Sequence, residues 1–490
     1  MKYYIGADLG TSSVKLILCD SNSEIIKTAT KYYEVSYPDP GWSEQSPLDW
    51  WNAFSEGVKE LTDGIDNVAG ISVAGQMHGL VILDDNDNVI RPAILWNDGR
   101  TFAETEYLNT VVGKDKLSAY TANIAFAGFT APKILWVKNT EPENFAKIAK
   151  IMLPKDYINY RLTKVHATEY SDAAGTLLLD VKNKCWSKEM LDTCSVDESQ
   201  MPKLFESYEC IGRVLPDVAK DIGLPENVKV IAGAADNAAA AIGTGTVGNG
   251  KCNISLGTSG TVLISSEKFS VDDNNSLHAF CHSDGGYYLM GCMLSAASCN
   301  KWFCEEILKT GDFAAEQADI TEEMLGNNNV YFLPYLMGER CPINDTNASG
   351  MFIGLRPDTT RAAMLQAVME GVAFAIRDNV EVARKLGINI EKSTVCGGGA
   401  RSELWLKIIS NVLNIELQVP KTEEGPALGA ARLAMVGCGD YVSVAECATV
   451  EIKNTVTPDK VLAERYEKKY KKFKEIYPNT KELFRKLILE

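Results

Sequence analysis

The sequence predicts an α/β protein built from two copies of one unit. Three observations carry this. Segments with strand and helix character alternate along most of the 490 residues. A strand–turn–strand pattern around Leu9-Gly10-Thr11-Ser12 returns around Leu256-Gly257-Thr258-Ser259, 247 positions later and close to half the length. The chain also exceeds the size of one typical domain, with 46% apolar and 23% charged residues, an ordinary globular composition. Four common residues could match by chance. Their matching context argues instead for a duplicated domain, since the period is far too long for a solenoid.

The elements follow in order. Residues 3–7 and 14–19 read as strands joined by the turn 8–13, and 71–74 and 80–83 as strands around a second turn. Residues 228–232 form a buried strand, followed by an alanine-rich helix over 237–242. Strands 252–255 and 261–265 flank the repeated turn. Residues 362–385 carry Leu365, Val368, Met369, Val372 and Ile376 at helical spacing. Strand 393–396 runs into Gly397-Gly398-Gly399 and a helix from Ser402. From Pro458 an amphipathic helix sets Tyr466, Tyr470 and Phe473 on one face. Its lysines (Lys468, Lys469, Lys471, Lys472, Lys474) read as a solvated face rather than a membrane or calmodulin site. Gly243, Gly245, Gly248 and Gly250 crowd the start of the second copy and read as an interdomain hinge. The implied units are 1–245, 246–437 and a helical tail, 438–490, packing on the core.

Charge and cysteine usage bound the function. Lys plus Arg number 49 against 65 Asp plus Glu, a net charge of −16. General attraction to nucleic acid is excluded, and the field opposes an anionic membrane. A phosphate ligand must be held locally, by backbone N–H groups and a metal ion. Thirteen scattered cysteines without a CxxC pair fit a reducing compartment. With no apolar targeting core at the start and no apolar run of membrane-spanning length, a cytoplasmic protein is expected.

Two phosphate motifs fail on context. Gly243-Thr244-Gly245-Thr246-Val247-Gly248 matches GxGxxG, but a helix precedes it and a strand follows. The near P-loop ending Gly250-Lys251 has Cys252 where a magnesium-binding Ser or Thr belongs. Better candidates are the turns Thr11-Ser12 and Gly257-Thr258-Ser259, which can aim successive N–H groups at one polyphosphate from two sides. The triple glycine lets a third backbone approach a flat ligand and leads into a helix N-terminus. Asp8, at the end of the first strand, is placed to hold magnesium. Asp236 opens the alanine helix, as an ionised proton acceptor or a plain N-cap.

An acceptor site is suggested by Gln76-Met77-His78-Gly79, by Trp96-Asn97-Asp98-Gly99-Arg100 and by Trp42-Ser43-Glu44-Gln45. Polyols need flat apolar faces beside directional hydrogen-bonding groups. Core packing for the tryptophans and a structural role for His78 remain alternatives. His278, Cys281 and His282 lack a further ligand pair at zinc spacing.

These residues resemble the FGGY family of carbohydrate kinases, over residues 5 to about 434. Gly128-Phe129-Thr130-Ala131-Pro132-Lys133-Ile134-Leu135-Trp136 fits the first family signature, and 350–370 fits most of the second. Leu153–Tyr157, Ser171–Thr176, Phe332–Tyr335 and Gly425–Ala431 are similar to further family segments. The resemblance implies two ribonuclease-H-like domains of the actin/hexokinase type around a central cleft. It implies ATP with Mg2+, and transfer of the γ-phosphate to the 5-hydroxyl of D-xylulose. Ribulose, glycerol or gluconate are alternative acceptors, and an actin-fold ATPase without sugar kinase activity a more distant one. By position, Asp236 matches the catalytic base and Asp8 the metal-side aspartate. Met77, His78, Gln76, Trp96, Asn97, Asp98 and Asn237 fall on the sugar side. Thr11, Ser12, Gly257, Thr258, Ser259, Gly397, Gly398 and Gly399 fall on the nucleotide side. The partners implied are a sugar and ATP, with a homodimer as a family-level expectation. Two departures stand out. Ala235 replaces the usual glycine before the base, which could narrow the approach of phosphate or sugar. Ala363 replaces a usual polar residue, expected to affect helix capping or hydrogen bonding.

Overall fold

The computed structural model describes residues 2–422 and 424–487. Among these, two large sheets form the frame. The first has strands β1 (Tyr3–Leu9), β2 (Ser13–Asp20), β3 (Ile25–Tyr32), β4 (Val68–Gly75), β5 (Cys210–Arg213) and β6 (Lys229–Ala235), in the order β5-β6-β4-β1-β2-β3. The second has β7 (Cys252–Leu256), β8 (Gly260–Ser266), β9 (His278–Cys281), β10 (Tyr287–Met293), β11 (Lys392–Cys396), β12 (Glu416–Pro420) and β13 (Ile452–Val456), in the order β9-β10-β8-β7-β11-β12-β13.

The two sheets share a five-strand core. In the first, the antiparallel meander β1-β2-β3 adds β4 in parallel to β1, then β6 in parallel to β4. In the second, β7, β8 and β10 form the meander, and β11 and β12 follow in parallel. The order β3-β2-β1-β4-β6 therefore equals β10-β8-β7-β11-β12. The repeat legible as two LGTS turns is a repeat of whole ribonuclease-H-like folds, as expected.

The strands alternate as half-covered sheets require. In β1, Ile5, Ala7 and Leu9 enter one apolar cluster and Tyr4 the other. Helix α1 (Pro47–Thr62) covers the first face, with Trp50, Phe54, Val58 and Leu61 on one buried stripe. Helix α2 (Thr130–Thr140) flanks the acceptor site, and α3 (Asp236–Gly243) follows β6 directly. In the second domain α4 (Arg361–Lys385) packs on β8, β10 and α5 (Glu403–Leu413). Thr360 Oγ1 accepts the Ala363 N–H at 3.1 Å, so the cap of α4 is intact despite Ala363. Ser402 caps α5 in the same way.

Helix α6 (Pro426–Cys438) comes from the second half of the chain but packs on the first sheet, against β1 and β4. A Cβ on Gly6 would lie 2.0 Å from the Ala427 carbonyl oxygen, so the helix and β1 touch backbone to backbone. Helix α3 packs along α6 just as closely, with Gly429 against Ala239 and Gly243 against Gly425. Arg432 of α6 donates to the Ile242 and Gly243 carbonyls at 2.9 and 3.1 Å, capping the end of α3.

Within the segment expected as a helical tail, 438–490, Ile452–Val456 is instead strand β13 of the second sheet, and helix α7 (Lys460–Leu487) follows, with Tyr466, Tyr470 and Phe473 buried against the second domain. Lys469 departs from the expected solvated face. It is buried and ion-paired with the buried Glu370, while Lys468, Lys471, Lys472 and Lys474 are exposed. Among the described residues, no helix is long and apolar enough to cross a membrane.

Candidate active site

The carboxyl ends of β1, β4 and β6 bring the two aspartates together. Asp8 of β1 lies opposite Ala74 of β4, and Ala74 lies opposite Ala234 of β6. Asp236 follows two residues later, at the first position of α3. Two strand spacings put the backbones on the order of 10 Å apart. The Asp236 Oδ1 accepts the backbone N–H of Asn237 at 2.6 Å and its side-chain amide at 2.9 Å. Burial nevertheless pushes the carboxyl up to about 6. Asp8 is pushed up to about 7, by burial first and by the negative charge of Asp236 second, against the pull of Lys15. Lys15 is ion-paired with Glu424.

A cavity of about 420 Å³ opens between the domains at this edge. The first domain lines it with Met77, His78, Trp96, Asp236 and Asn237. The second supplies Thr258, Ser259, His278 and Arg340. Ala235 is wholly buried and its N–H is bonded to Ser171 Oγ at 3.1 Å. Its methyl group is outside the cavity wall, so it does not narrow this space.

His78 has a left-handed backbone, φ 69°, unusual for a residue with a side chain. Its ring stacks on Phe129 at 4.6 Å, and Nδ1 lies 2.6 Å from the Gly175 carbonyl. Burial, with Lys133 nearby, pushes its pKa down to about 3, so the imidazole is neutral. Only the tautomer with Nδ1–H can donate to that carbonyl, which leaves Nε2 as an acceptor for a substrate hydroxyl. The strained turn is held from behind. Lys133 of α2, fully buried, donates to the His78 carbonyl at 2.8 Å and the Gly128 carbonyl at 2.6 Å. Thr130 Oγ1 adds a third bond at 3.1 Å.

Other sequence-derived candidates support the site without lining the cavity. Gln76 is buried, donating to Gln45 Oε1 at 3.2 Å and accepting from Thr11 Oγ1 at 3.3 Å. Thr11 Oγ1 also accepts the Trp96 indole N–H at 3.0 Å. Asn97 is exposed. Asp98 accepts the Ser43 N–H at 2.6 Å and pairs with Arg100 at 2.7 Å, which itself stacks over Trp42. Trp42, Glu44 and Asp98 thus build the loop beneath Trp96. His282 bonds the Thr246 carbonyl at 3.1 Å, and no group of three metal-ligating side chains exists among the described residues.

The nucleotide-side turns are arranged for an anion. The carbonyls of Gly257 and Thr258 accept N–H groups of Ala296, Ala297 and Ser298. Among the described residues, the N–H groups of Gly257, Thr258 and Ser259 donate to no protein backbone acceptor, and the same holds for Thr11 and Ser12. Such unspent donors form a nest for phosphate oxygens. A second cavity, of about 430 Å³, lies beside Gly397, Ala400, Pro420 and Thr422. Gly397 has φ 88°, and a Cβ there would meet the Leu256 carbonyl oxygen at 2.7 Å. Glycine is required, and its absent side chain brings this turn against the end of β7. Gly398 and Gly399 begin the following 3₁₀ turn.

Phe126 and Arg340 were not legible as site residues, and His278 was weighed only as a metal ligand with Cys281 and His282. Neither Phe126 nor Arg340 stands in a motif of its own, and Arg340 follows irregular chain beyond Phe332–Tyr335. Phe129 stood inside the signature, but nothing in the spacing showed that it would stack on His78.

Comparison with known proteins agrees with this geometry. Residues 3–243 match the model of the FGGY family of carbohydrate kinases, N-terminal domain, and residues 252–438 match its C-terminal domain. The xylulose kinase of Escherichia coli K12 is 41% identical over 483 residues, 97% of this chain and 98% of that one. A crystal structure described as a xyloylose kinase from Brucella ovis superposes with TM-score 0.94 at 39% identity, covering 98% of this chain and 100% of that one. The gluconate kinase structure from Lactobacillus acidophilus has TM-score 0.93 at 27% identity, covering 98% of each chain. Twin ribonuclease-H-like sheets, a carboxylate at the mouth of the cleft and family matches to both halves lead to one conclusion: the chain belongs to the FGGY family of carbohydrate kinases.

Proposed function

We propose that this chain transfers the γ-phosphate of ATP to the 5-hydroxyl of D-xylulose, giving D-xylulose 5-phosphate and ADP. The observation that carries the mechanism is Asp236, half-buried on the acceptor wall, lining a cavity to which the second domain brings Thr258 and Ser259, whose N–H groups donate to no backbone acceptor among the described residues. The identity with xylulose kinases over nearly the whole chain supports the acceptor.

The sugar sits mainly against the first domain, residues 1–245, with His78 Nε2 accepting a hydroxyl and Trp96 offering an apolar face. ATP sits mainly against the second, residues 246–437, with phosphate oxygens on the turn 257–259. Gly397–Gly399 and the second cavity beside them lie where the rest of the nucleotide extends. The Asp236 carboxylate orients the 5-hydroxyl and takes its proton as the O–P bond forms. A carboxylate suffices, because a loose phosphoryl transfer releases that proton late. The residues present also fit a magnesium ion. Asp8 is a hard oxygen donor at the sheet edge that also carries Asp236, and magnesium commonly combines one or two carboxylates with water and substrate phosphates. Bound there, the ion supplies charge neutralisation on the phosphates. The cysteines are all free, in keeping with a cytoplasmic setting.

A coupled ADP-release assay over D-xylulose, D-ribulose, glycerol and D-gluconate tests the assignment. D-xylulose is expected to lead in kcat/KM by about tenfold or more. Sugar-independent ATP hydrolysis, or a different leader, overturns it. D-gluconate is the specific rival, since Arg340 on the cavity wall offers a carboxylate a partner.

A further inference from the structure

Arg340 is not explained by a neutral acceptor. It lines the same cavity as Asp236 and the turn Thr258–Thr261. Among the described residues no carboxylate pairs with it, although the chain carries a net charge of −16. The adjacent Glu339 feels the Arg340 charge but, among the described residues, makes no ion pair with it. Glu339 Oε1 accepts the backbone N–H groups of Leu294 and Arg340 at 2.9 and 2.8 Å, which clamps the loop and fixes where the arginine begins. The guanidinium lies over the Phe126 ring at 5.4 Å. Cys292, beside the Arg340 side chain, lines the same cavity as Asp236.

Resting on the kinase reading above, we propose that Arg340 is a catalytic residue of the second domain that binds the phosphoryl group in flight and the phosphate of the product. A ketopentose has no charge to match it, so the anion that enters this cavity is the one being transferred. Two carboxylates at the cleft repel that group, and a planar guanidinium with several N–H donors offsets them. The step balances without a proton from Arg340. Asp236 accepts the hydroxyl proton, the sugar oxygen bonds phosphorus, the bond from phosphorus to the β–γ bridging oxygen breaks, and its electron pair leaves on ADP. Arg340 donates hydrogen bonds to the non-bridging oxygens throughout.

The test compares wild type with Arg340→Gln and Arg340→Lys at saturating ATP, and measures affinity for D-xylulose and D-xylulose 5-phosphate by calorimetry. For Arg340→Gln, kcat is expected to fall about 10²–10³-fold, with D-xylulose affinity within about threefold and product affinity at least about tenfold weaker. Arg340→Lys retains part of both, and it carries the test alone if the glutamine variant does not fold. Unchanged product affinity, or weakened sugar affinity with kcat intact, overturns the proposal. So does wild-type turnover of D-gluconate that Arg340→Gln selectively abolishes, which assigns the cation to a substrate carboxylate. If wild type instead prefers another neutral sugar, only the acceptor assignment fails. The same measurement with that sugar's own phosphate still decides the role of Arg340.

Discussion

Asp236 concentrates the conflict between stability and chemistry. Its neighbours remove water, which raises the carboxyl to about 6 and leaves it a better proton acceptor than a solvated one. Activity should therefore fall as pH drops through about 6, where the base takes up a proton; a pH profile of kcat/KM checks this. The same burial makes the charged form costly to the fold. A raised carboxyl pKa destabilises the native state at high pH, and the penalty fades as pH falls through about 6 toward the ordinary value of 3.8. Asp236→Asn should thus lose about 10³-fold or more in sugar phosphorylation while melting about 2 °C or more above wild type at pH 8, the gap narrowing steadily below about pH 6. Parallel melting curves and ADP-release assays read both. Asp236 itself was legible from its place after a buried strand. Its partner across the cavity was not, because Arg340 gains its meaning only from residues some hundred positions away that fold against it.

At the level of elements, the strands and the helix periods were readable because burial writes itself into spacing. The strand over 228–232 extends to Lys229–Ala235, and the alanine helix begins at Asp236 itself. The alanines of that helix had a second meaning the spacing did not show: they admit α6 at backbone distance. A Cβ on Gly429 would lie 1.8 Å from the Ala239 carbonyl oxygen. Gly429→Ala should therefore push α3 off its seat, at a cost of about 1–3 kcal/mol or more, and lower kcat with it, since α3 carries Asp236. Gly311→Ala, where a Cβ meets nothing within 4 Å, is the control that should leave denaturant midpoints unmoved. Lys469 shows the opposite limit. A run of lysines looks uniformly solvated in sequence, yet Glu370 on α4 draws one of them into the core.

Across the whole molecule, duplication supplies a pair of matching turns, and the second of them, at Thr258–Thr261, lines the cavity. Gly248, with φ 89° and open space where a side chain would be, suits the connecting segment for rotation. Small-angle scattering should show a smaller radius of gyration with D-xylulose and a non-hydrolysable ATP analogue together than with neither; an unchanged value would argue for a cleft already shut.

The route of α6 sets the kind of movement available. The backbone leaves the second sheet after β12, lies along the first sheet as α6, and returns to the second at β13. With the link between α3 and β7, three separate threads cross the boundary. A single thread would let one half swivel freely, whereas three anchored side by side leave essentially one arc of travel. Any closure of the cleft would then bring the same two walls together along the same path each time, guided by these crossings at the back.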